Sequence, residues 1–224
     1  MSEGPEGSAQ AALEFVKDGQ TLGLGTGRAA AAFVRALGER VQQGLSVRGV
    51  PTSEATAALA REVGIPLLTL AEAKRLDTTF DGADEVDPAL DVIKGYGGAL
   101  VREKIVAASS QQLVILVGAE KLVGTLGERG KLPVEVLDFG RALCTRRLAV
   151  LGCEAVVRTG DDRRVFRTDN GNPILDCKVS GIADPAGLEA EILAIPGVLG
   201  TGLFVGMADA VIVQDGDAVE VKRR

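Results

Sequence analysis

Short apolar segments alternate with helix-forming segments over residues 1–118, and this alternation restricts the fold of the 224-residue chain more than any other feature. Parallel strands need a crossover connection, which is usually a helix. The predicted strands are 20–24, 47–50, 66–69, 76–80 and 113–117, and the predicted helices are 11–16, 28–37, 53–63 and 98–108. The last of these strands is continuously apolar, as expected for a strand buried on both faces. The pattern predicts an α/β fold with helices on both faces of a parallel sheet.

The pattern changes after about residue 123, where short apolar segments are separated by Gly, Asp and Asn turns. Strands are predicted at 134–137, 155–158, 164–167 and 173–176, with helices at 140–151 and 187–194. The apolar tail at 202–213 is predicted to return to the first sheet. We therefore predict a Rossmann-like α/β catalytic domain formed by 1–125 and 200–224, with a smaller α+β domain, 126–199, inserted before the C-terminal strand.

Histidine is absent from the sequence, which excludes a histidine general base, a Ser-His triad and a histidine-ligated metal. Proton transfer would have to use carboxylates, Lys, Tyr or Cys.

The net charge of −6 and the aromatic content of 3% argue against nucleic-acid binding and against attraction to an anionic membrane. No apolar stretch reaches the length of a membrane span, and the first residues lack the apolar segment of a signal peptide. The three cysteines match no metal-ligand spacing, so we expect reduced thiols in a cytoplasmic protein.

Four segments carry residues suited to chemistry. The first, Gly23–Gly27, joins a strand to a helix and lets the backbone approach an anion, although a tight turn without a ligand is the alternative. A dinucleotide fingerprint is incomplete because Arg28 occupies a position that needs Gly or Ala, and the second strand is not followed by an acidic residue. In the second segment, 51–56, Thr52 or Ser53 is expected to cap the next helix, with a ligand contact secondary.

The third and fourth segments are acidic and glycine-rich. Four carboxylates lie within 81–87, directly after a predicted strand, where α/β folds place ligands; a solvated turn is the alternative, and EF-hand ligand spacing is absent. The fourth segment, 94–104, places Lys94 before a glycine turn and Glu103 on the helix that follows. One alternative is that Lys94 caps a surface helix and that the charged residues after it form an exposed helix face. The other is that the glycines form a tight turn, in which case Lys94 and Glu103 would face one pocket.

These segments together resemble type A ribose-5-phosphate isomerases. The resemblance rests on GLGTG at 23–27, PTSEAT at 51–56, DGADEVD at 81–87, KGYGGALVREK at 94–104, Lys121, TDNGNPILD at 168–176 and IPGVLGTGLFVGMADAVIV at 195–213. It implies an intramolecular oxidoreductase that interconverts D-ribose 5-phosphate and D-ribulose 5-phosphate through a cis-enediolate, in the non-oxidative pentose phosphate pathway. It also implies a cofactor-free and metal-free enzyme with a sugar-phosphate substrate, forming a homodimer or homotetramer.

The resemblance implies roles for individual residues. Glu103 would be the catalytic base, with Asp81, Asp84 and Lys94 around the reacting carbons. We expect Asp81 to open the furanose ring, Asp84 to orient the lysine and the sugar hydroxyls, and Lys94 to stabilise the enediolate oxygen. The implied substrate-binding residues are Thr26, Gly27, Arg28, Ala29, Gly82, Ala83, Gly95, Tyr96, Gly97 and Lys121.

Two positions depart from the family pattern. The family usually has Ser-Thr where this chain has Arg28 and Ala29, so hydroxyl contacts are lost there. It usually has Gly in place of Tyr96, and we expect a changed turn because Tyr tolerates positive φ poorly.

The alternative function is a sugar-phosphate-binding regulatory sensor of related fold, although no DNA-binding segment is visible. A nicotinamide dehydrogenase is disfavoured by the incomplete fingerprint.

Overall fold

The computed structural model describes residues 5–224 and has the expected α/β fold. Its strands are β1 Thr21–Leu24, β2 Arg48–Pro51, β3 Leu76–Gly82, β4 Glu85–Val86, β5 Val92–Ile93, β6 Ser110–Gly118, β7 Lys131–Val136, β8 Glu154–Val157, β9 Ile174–Lys178, β10 Val198–Thr201, β11 Leu203–Phe204, β12 Ala210–Asp215 and β13 Ala218–Arg223. Its α-helices are α1 Glu6–Leu13, α2 Arg28–Gln42, α3 Glu54–Glu62, α4 Leu100–Ala108, α5 Arg141–Val150 and α6 Pro185–Leu193, and short 3₁₀ helices cover Ala119–Lys121 and Asp138–Gly140.

The described residues form two compact units. The first contains the chain up to Ala83 together with Arg102–Lys121 and Met207–Arg224, and the second contains Asp84–Val101 and Leu122–Gly206. The chain therefore passes between the units four times.

The first unit is built on a six-stranded sheet with the order β13-β12-β6-β3-β1-β2. Neighbouring strands from β12 to β2 are parallel, and only the edge strand β13 is antiparallel to its neighbour. Helices cover both faces, as the sequence predicts. Leu22, Leu24 and Phe33 share the core formed with α1 and α2, whereas the opposite face at Gly23 lies against Val106 of α4.

The second unit is built on antiparallel strands. Its four-stranded sheet has the order β10-β7-β9-β8, and a separate three-stranded sheet has the order β11-β5-β4. One face of the larger sheet presents Leu132, Val134 and Val136 of β7 to a core that includes Cys144 and Leu148 of α5. This unit has the α+β character that the punctuated sequence pattern predicts.

The predicted strand at 66–69 is wrong, because this segment forms a single parallel bridge between Leu67 and Gly49. Two backbone hydrogen bonds join it to Gly49, from the Gly49 N–H to the Pro66 carbonyl (2.8 Å) and from the Leu68 N–H to the Gly49 carbonyl (2.9 Å). The neighbouring donors are missing on both sides, because Pro66 in this segment and Pro51 in β2 have no N–H. The ladder therefore cannot extend in either direction. The predicted strand at 164–167 is likewise reduced to one bridge, between Thr159 and Val165.

The C-terminal tail returns to the first sheet as predicted, since β12 pairs in parallel with β6. The predicted continuous strand at 202–213 is instead divided into β11 and β12 by a segment that contains Gly206, whose φ is 68°. Strand β13 was not predicted. An Asp-Gly pair at 215–216 between apolar segments is a strong hairpin signal and would have indicated it.

The three cysteines are buried and free, in agreement with the expectation of reduced thiols. Burial raises the pKa of the Cys144 thiol. A hydrogen bond with Cys153, together with burial, raises the pKa of Cys177. These two thiols therefore stay neutral and have little nucleophilic character.

Within residues 5–224, the helices are too short or too polar to cross a lipid bilayer.

A phenylalanine pair tests the packing of the first unit. The rings of Phe33 and Phe80 stack at 4.2 Å between centroids, and both residues are fully buried. Phe33→Ala should lower the free energy of unfolding by about 3–5 kcal/mol, because it leaves a cavity beside Phe80. The matched control is Phe139→Ala, at a residue that is 97% exposed, and it should change the stability by less than about 0.5 kcal/mol. Chemical denaturation followed by circular dichroism measures both changes, and equal losses would contradict the packing described.

Candidate active site

The glycine-rich turn after β1 forms the start of helix α2. Gly27 occupies the N-cap with a φ of 107°, a conformation that glycine adopts without strain. It has no side chain to cap the first turn of α2, so the N–H groups there receive no capping acceptor from this residue. A helix start of this kind can bind an anion such as a phosphate.

Hydroxyl groups of the second segment, 51–56, form hydrogen bonds with the glycine-rich turn after β1. The Thr26 hydroxyl lies 2.8 Å from those of both Thr52 and Ser53. Thr52 and Thr56 also donate to the carbonyls of Leu24 and Gly25, at 3.1 and 2.8 Å. Ser53 caps α3 by accepting from the Thr56 N–H (3.1 Å), which confirms the structural role predicted for this motif.

Asp81 is held against the glycine turn at the end of β3. Its Oδ1 accepts hydrogen bonds from the backbone N–H groups of Thr26 (3.1 Å) and Gly82 (2.8 Å), and the residue is only 1% exposed. A Cβ on Gly25 would overlap the Asp81 carboxylate. Glycine at position 25 is therefore required for this close approach, and the first and third motifs form one structural element.

The predicted residues of the first unit gather at one edge of its sheet. Thr26–Ala29 follow β1, Thr52 follows β2, Asp81–Ala83 end β3, and Lys121 ends the short helix after β6. These four strands are parallel, so their carboxyl ends lie on the same side. That edge is where α/β folds bind ligands.

Glu103 is buried although it carries a carboxylate. It lies in the first turn of α4 and is 4% exposed, whereas the preceding residue, Arg102, forms a surface ion pair with Glu54 (3.0 Å). The start of a helix favours a carboxylate electrostatically. Burial of a carboxylate is unfavourable unless other interactions offset it, and such groups are concentrated at functional sites.

Asp84 and Lys94 lie in the second unit, beside the antiparallel pair β4 and β5. The Asp84 N–H donates to the Ile93 carbonyl (2.8 Å), and the Lys94 N–H donates to the Gly202 carbonyl (2.9 Å). Lys94 is 2% exposed, and its ammonium lies 5.6 Å from the centroid of the Phe204 ring. The Asp84 Oδ2 accepts from the Tyr96 N–H (2.9 Å), so Asp84 and the glycine loop after Lys94 are in direct contact.

Tyr96 does not adopt a positive φ, so its side chain causes no backbone strain in this turn. The residues of this loop with positive φ are Gly95 (104°) and Gly98 (90°), and Tyr96 is not among them. The Tyr96 hydroxyl donates to the Lys131 carbonyl (3.2 Å), and the Lys131 ammonium lies 4.0 Å from the ring centroid. Burial, together with the nearby carboxylates of Glu85 and Asp84, raises the pKa of the phenol. Tyr96 therefore anchors the loop as a neutral side chain.

The other departure from the family pattern leaves the helix start intact. Arg28 is the first residue of α2 and is exposed, while Ala29 is half-buried and packs against the core of the first unit. No hydroxyl stands at either position, so any anion contact there depends on backbone N–H groups and on the Arg28 guanidinium.

Two features of these loops were not predicted. One is the hydroxyl cluster, whose signal is the i, i+3 spacing of Ser53 and Thr56 beside a glycine turn. The other is Arg158, which donates to the carbonyls of Gly95 and Tyr96 and which no local motif marks. Among residues 5–224, no group of three or more acidic or cysteine side chains is arranged to hold a metal ion.

Comparisons with known proteins identify the family. A family model described as ribose 5-phosphate isomerase A (phosphoriboisomerase A) matches residues 48–218. The ribose-5-phosphate isomerase A of Roseiflexus castenholzii is 52% identical over 214 residues, covering 95% of this chain and 92% of that protein. The enzyme of the same name from Gloeobacter violaceus is 55% identical over 215 residues, covering 96% and 93%.

Solved structures agree with the sequence matches. The ribose 5-phosphate isomerase A of Methanocaldococcus jannaschii superposes with a TM-score of 0.94 at 43% identity, covering 98% of each chain. A D-ribose-5-phosphate isomerase solved in complex with phospho-erythronic acid gives a TM-score of 0.95 at 38% identity, covering 98% of this chain and 97% of that one. These relatives are named as isomerases and give no support to the sensor alternative. By the family model and by relatives that match it over nearly its whole length, this chain belongs to the ribose 5-phosphate isomerase A family.

Proposed function

We propose that this chain interconverts D-ribose 5-phosphate and D-ribulose 5-phosphate as an aldose-ketose isomerase that needs no cofactor. The observation that carries the proposal is the pair of buried carboxylates, Asp81 and Glu103, in a chain that has no histidine and belongs to this family. A relative solved with phospho-erythronic acid supports a phosphorylated sugar as the substrate.

Glu103 is the base in this proposal. The open-chain aldose loses its C2 proton to the Glu103 carboxylate and becomes a cis-enediolate. The same carboxyl group returns a proton to C1, while a second proton passes from O2 to O1, and the ketose results. One carboxylate therefore serves both carbon atoms, and a general base of this kind contributes roughly 10²–10⁴-fold to the rate.

Asp81 is assigned to ring opening. Only the open-chain sugar has a carbonyl group, which makes the adjacent C–H acidic, so the furanose must open first. The assignment is supported by the fixed position of Asp81, whose Oδ1 is held by the Thr26 and Gly82 N–H groups. A carboxylate fixed by backbone donors can meet the sugar hydroxyls without a change in its own position.

Lys94 and Asp84 stabilise and orient the substrate. Negative charge develops on the enediolate oxygen in the transition state, and the Lys94 ammonium is assigned to stabilise it. Asp84, which already accepts the Tyr96 N–H, is assigned to orient the lysine and the sugar hydroxyls. The remaining substrate contacts are assigned to Thr26, Gly27, Arg28, Ala29, Gly82, Ala83, Gly95, Tyr96, Gly97 and Lys121, with the phosphate at the glycine turn before α2.

The same proposal places the enzyme in the cytoplasm, in the non-oxidative pentose phosphate pathway. Three free, buried cysteines support a reducing compartment. A homodimer or homotetramer is proposed from the resemblance to a family whose members usually assemble in these ways.

A pair of matched variants tests the role of Glu103. Glu103→Gln keeps the shape of the side chain and removes the base, so turnover should fall by roughly 10²–10⁴-fold while ribose 5-phosphate still binds. Glu39→Gln, the same change at an exposed position of α2, should leave turnover unchanged. Turnover is measured as the D-ribulose 5-phosphate that the purified protein forms in the presence of a chelator. Binding of ribose 5-phosphate is measured by calorimetry.

The outcomes separate the assignment from the function. Near-wild-type turnover in Glu103→Gln would show that another group is the base. No ketose formed by the unmodified protein, despite tight binding of ribose 5-phosphate, would instead favour the sensor.

A substrate that cannot form a furanose tests the role of Asp81. Asp81→Asn keeps an Oδ1 acceptor for the Thr26 and Gly82 N–H groups but removes the ionisable group. We expect kcat/KM to fall at least about tenfold further for ribose 5-phosphate than for an open-chain aldose phosphate such as erythrose 4-phosphate. Equal losses with the two substrates, measured as deuterium uptake at the carbon next to the carbonyl, would contradict the ring-opening role.

A further inference from the structure

Arg158 makes contacts that a surface ion pair would not explain. It follows β8 directly, and its side chain is only 10% exposed. One guanidinium nitrogen, Nη1, donates to the carbonyls of both Gly95 (2.9 Å) and Tyr96 (3.1 Å). These carbonyls belong to the glycine loop that follows Lys94.

Asp176 fixes the orientation of this guanidinium. Its two oxygens accept from Arg158 Nε (2.9 Å) and Nη2 (2.5 Å), so the ion pair is bidentate. The backbone is fixed as well, because β8 pairs with β9 and the Arg158 N–H donates to the Ile174 carbonyl (2.9 Å). With Nε and Nη2 held in this way, the planar guanidinium directs Nη1 at the loop.

The peptide group between Gly95 and Tyr96 lies between opposite charges. Its carbonyl accepts from Arg158, and its N–H donates to the Asp84 carboxylate (2.9 Å). Hydrogen bonds that share one peptide group polarise each other, so each strengthens the other. A continuous chain of hydrogen bonds thus runs from Asp176 through Arg158 and this peptide to Asp84.

These bonds add an external restraint to the loop. Within the loop, the Gly98 N–H donates to the Gly95 carbonyl (3.0 Å) and Gly95 lies close to Leu100 and Pro133, but a Cβ on Gly97 would meet no atom within 4 Å, so packing restricts the middle of the loop little. A peptide beside glycine can rotate at small energetic expense. Such a rotation would move the Tyr96 N–H away from Asp84.

We propose that Arg158, oriented by Asp176, is a positioning residue for the isomerisation: it fixes the Gly95–Tyr96 peptide and so the carboxylate of Asp84 and the backbone next to Lys94. This inference rests on the proposed function, in which Asp84 and Lys94 orient and stabilise the reacting sugar. A role limited to joining β8 to β9 is the alternative.

Arg158→Lys is the decisive variant, because a single ammonium keeps the charge but cannot hold Asp176 in a bidentate pair and reach both carbonyls. Turnover should fall about 10–100-fold, since small displacements of positioned groups have effects of this size, while KM changes by less than about threefold. The matched control is Arg167→Lys, which alters a half-exposed ion pair with Asp138 in the same unit and should leave turnover unchanged. Asp176→Asn should lower turnover in the same direction as Arg158→Lys.

Tyr96 gives a second readout that does not depend on activity. It is the one tyrosine of the chain, and the chain has no tryptophan, so tyrosinate absorbance reports on this loop alone. Burial raises the pKa of its phenol in the native protein. In Arg158→Lys the phenol should ionise at a lower pH than in the unmodified protein, because a more mobile loop exposes the phenol to water. Arg167→Lys should titrate as the unmodified protein does.

The outcomes distinguish this inference from the proposed function. Lower turnover and an earlier Tyr96 titration in Arg158→Lys and Asp176→Asn, with thermal unfolding close to that of Arg167→Lys, would support positioning. Turnover within about twofold of the unmodified enzyme, or an unchanged Tyr96 titration, would overturn it. Loss of activity that accompanies a matching loss of thermal stability in both variants would also overturn it and favour the purely structural role. An unmodified protein without isomerase activity would refute the proposed function, and the Tyr96 titration would still test whether Arg158 holds the loop.

Discussion

One oxygen of Asp81 accepts two backbone N–H groups, and the arrangement of the first unit's site residues depends on this interaction. The Thr26 N–H comes from the turn after β1 and the Gly82 N–H from the end of β3, so the carboxylate joins two loops at the same sheet edge. The contact is possible because position 25 has no Cβ. Gly25 is therefore needed for the close approach of the Asp81 carboxylate, in addition to any role in letting an anion approach the turn.

The second unit stabilises its buried carboxylates in the same way. Glu85, which is fully buried, accepts from the N–H groups of Gly127 (2.5 Å) and Arg129 (3.0 Å) and so fixes the turn before β7. Glu135 accepts from Thr168, Asn170 and Asn172, which explains much of the TDNGN motif as a structural element. N–H and O–H donors thus offset the burial of Asp81, Glu85 and Glu135, as buried charge requires.

The sequence predicts the layers of the fold better than the connections within its loops. Continuous apolar runs such as 113–117, and the alternation of such runs with helical segments, are local signals in the sequence. These signals predict the parallel sheet. The predicted strand 66–69 is wrong because Pro66 and Pro51 lack the N–H groups that would extend its ladder, and an apolar pattern does not take missing donors into account. The candidate residues came from glycine and carboxylate motifs and from the family resemblance. Arg158 could not be found in this way, because its partners Gly95 and Asp176 are distant in sequence and are brought together by folding.

Proton transfer through a single carboxylate is the central claim, and the fate of the C2 hydrogen tests it most directly. Ribose 5-phosphate carrying deuterium at C2 would be converted in ordinary water, and the deuterium at C1 of the ketose measured by NMR. A proton held on Glu103 exchanges with solvent, so the ketose should carry less than one deuterium per molecule, and Glu103→Gln should form almost no ketose. Retention of deuterium together with undiminished ketose formation by Glu103→Gln would mean that the hydrogen passes from C2 to C1 without this carboxylate, and it would contradict catalysis by Glu103.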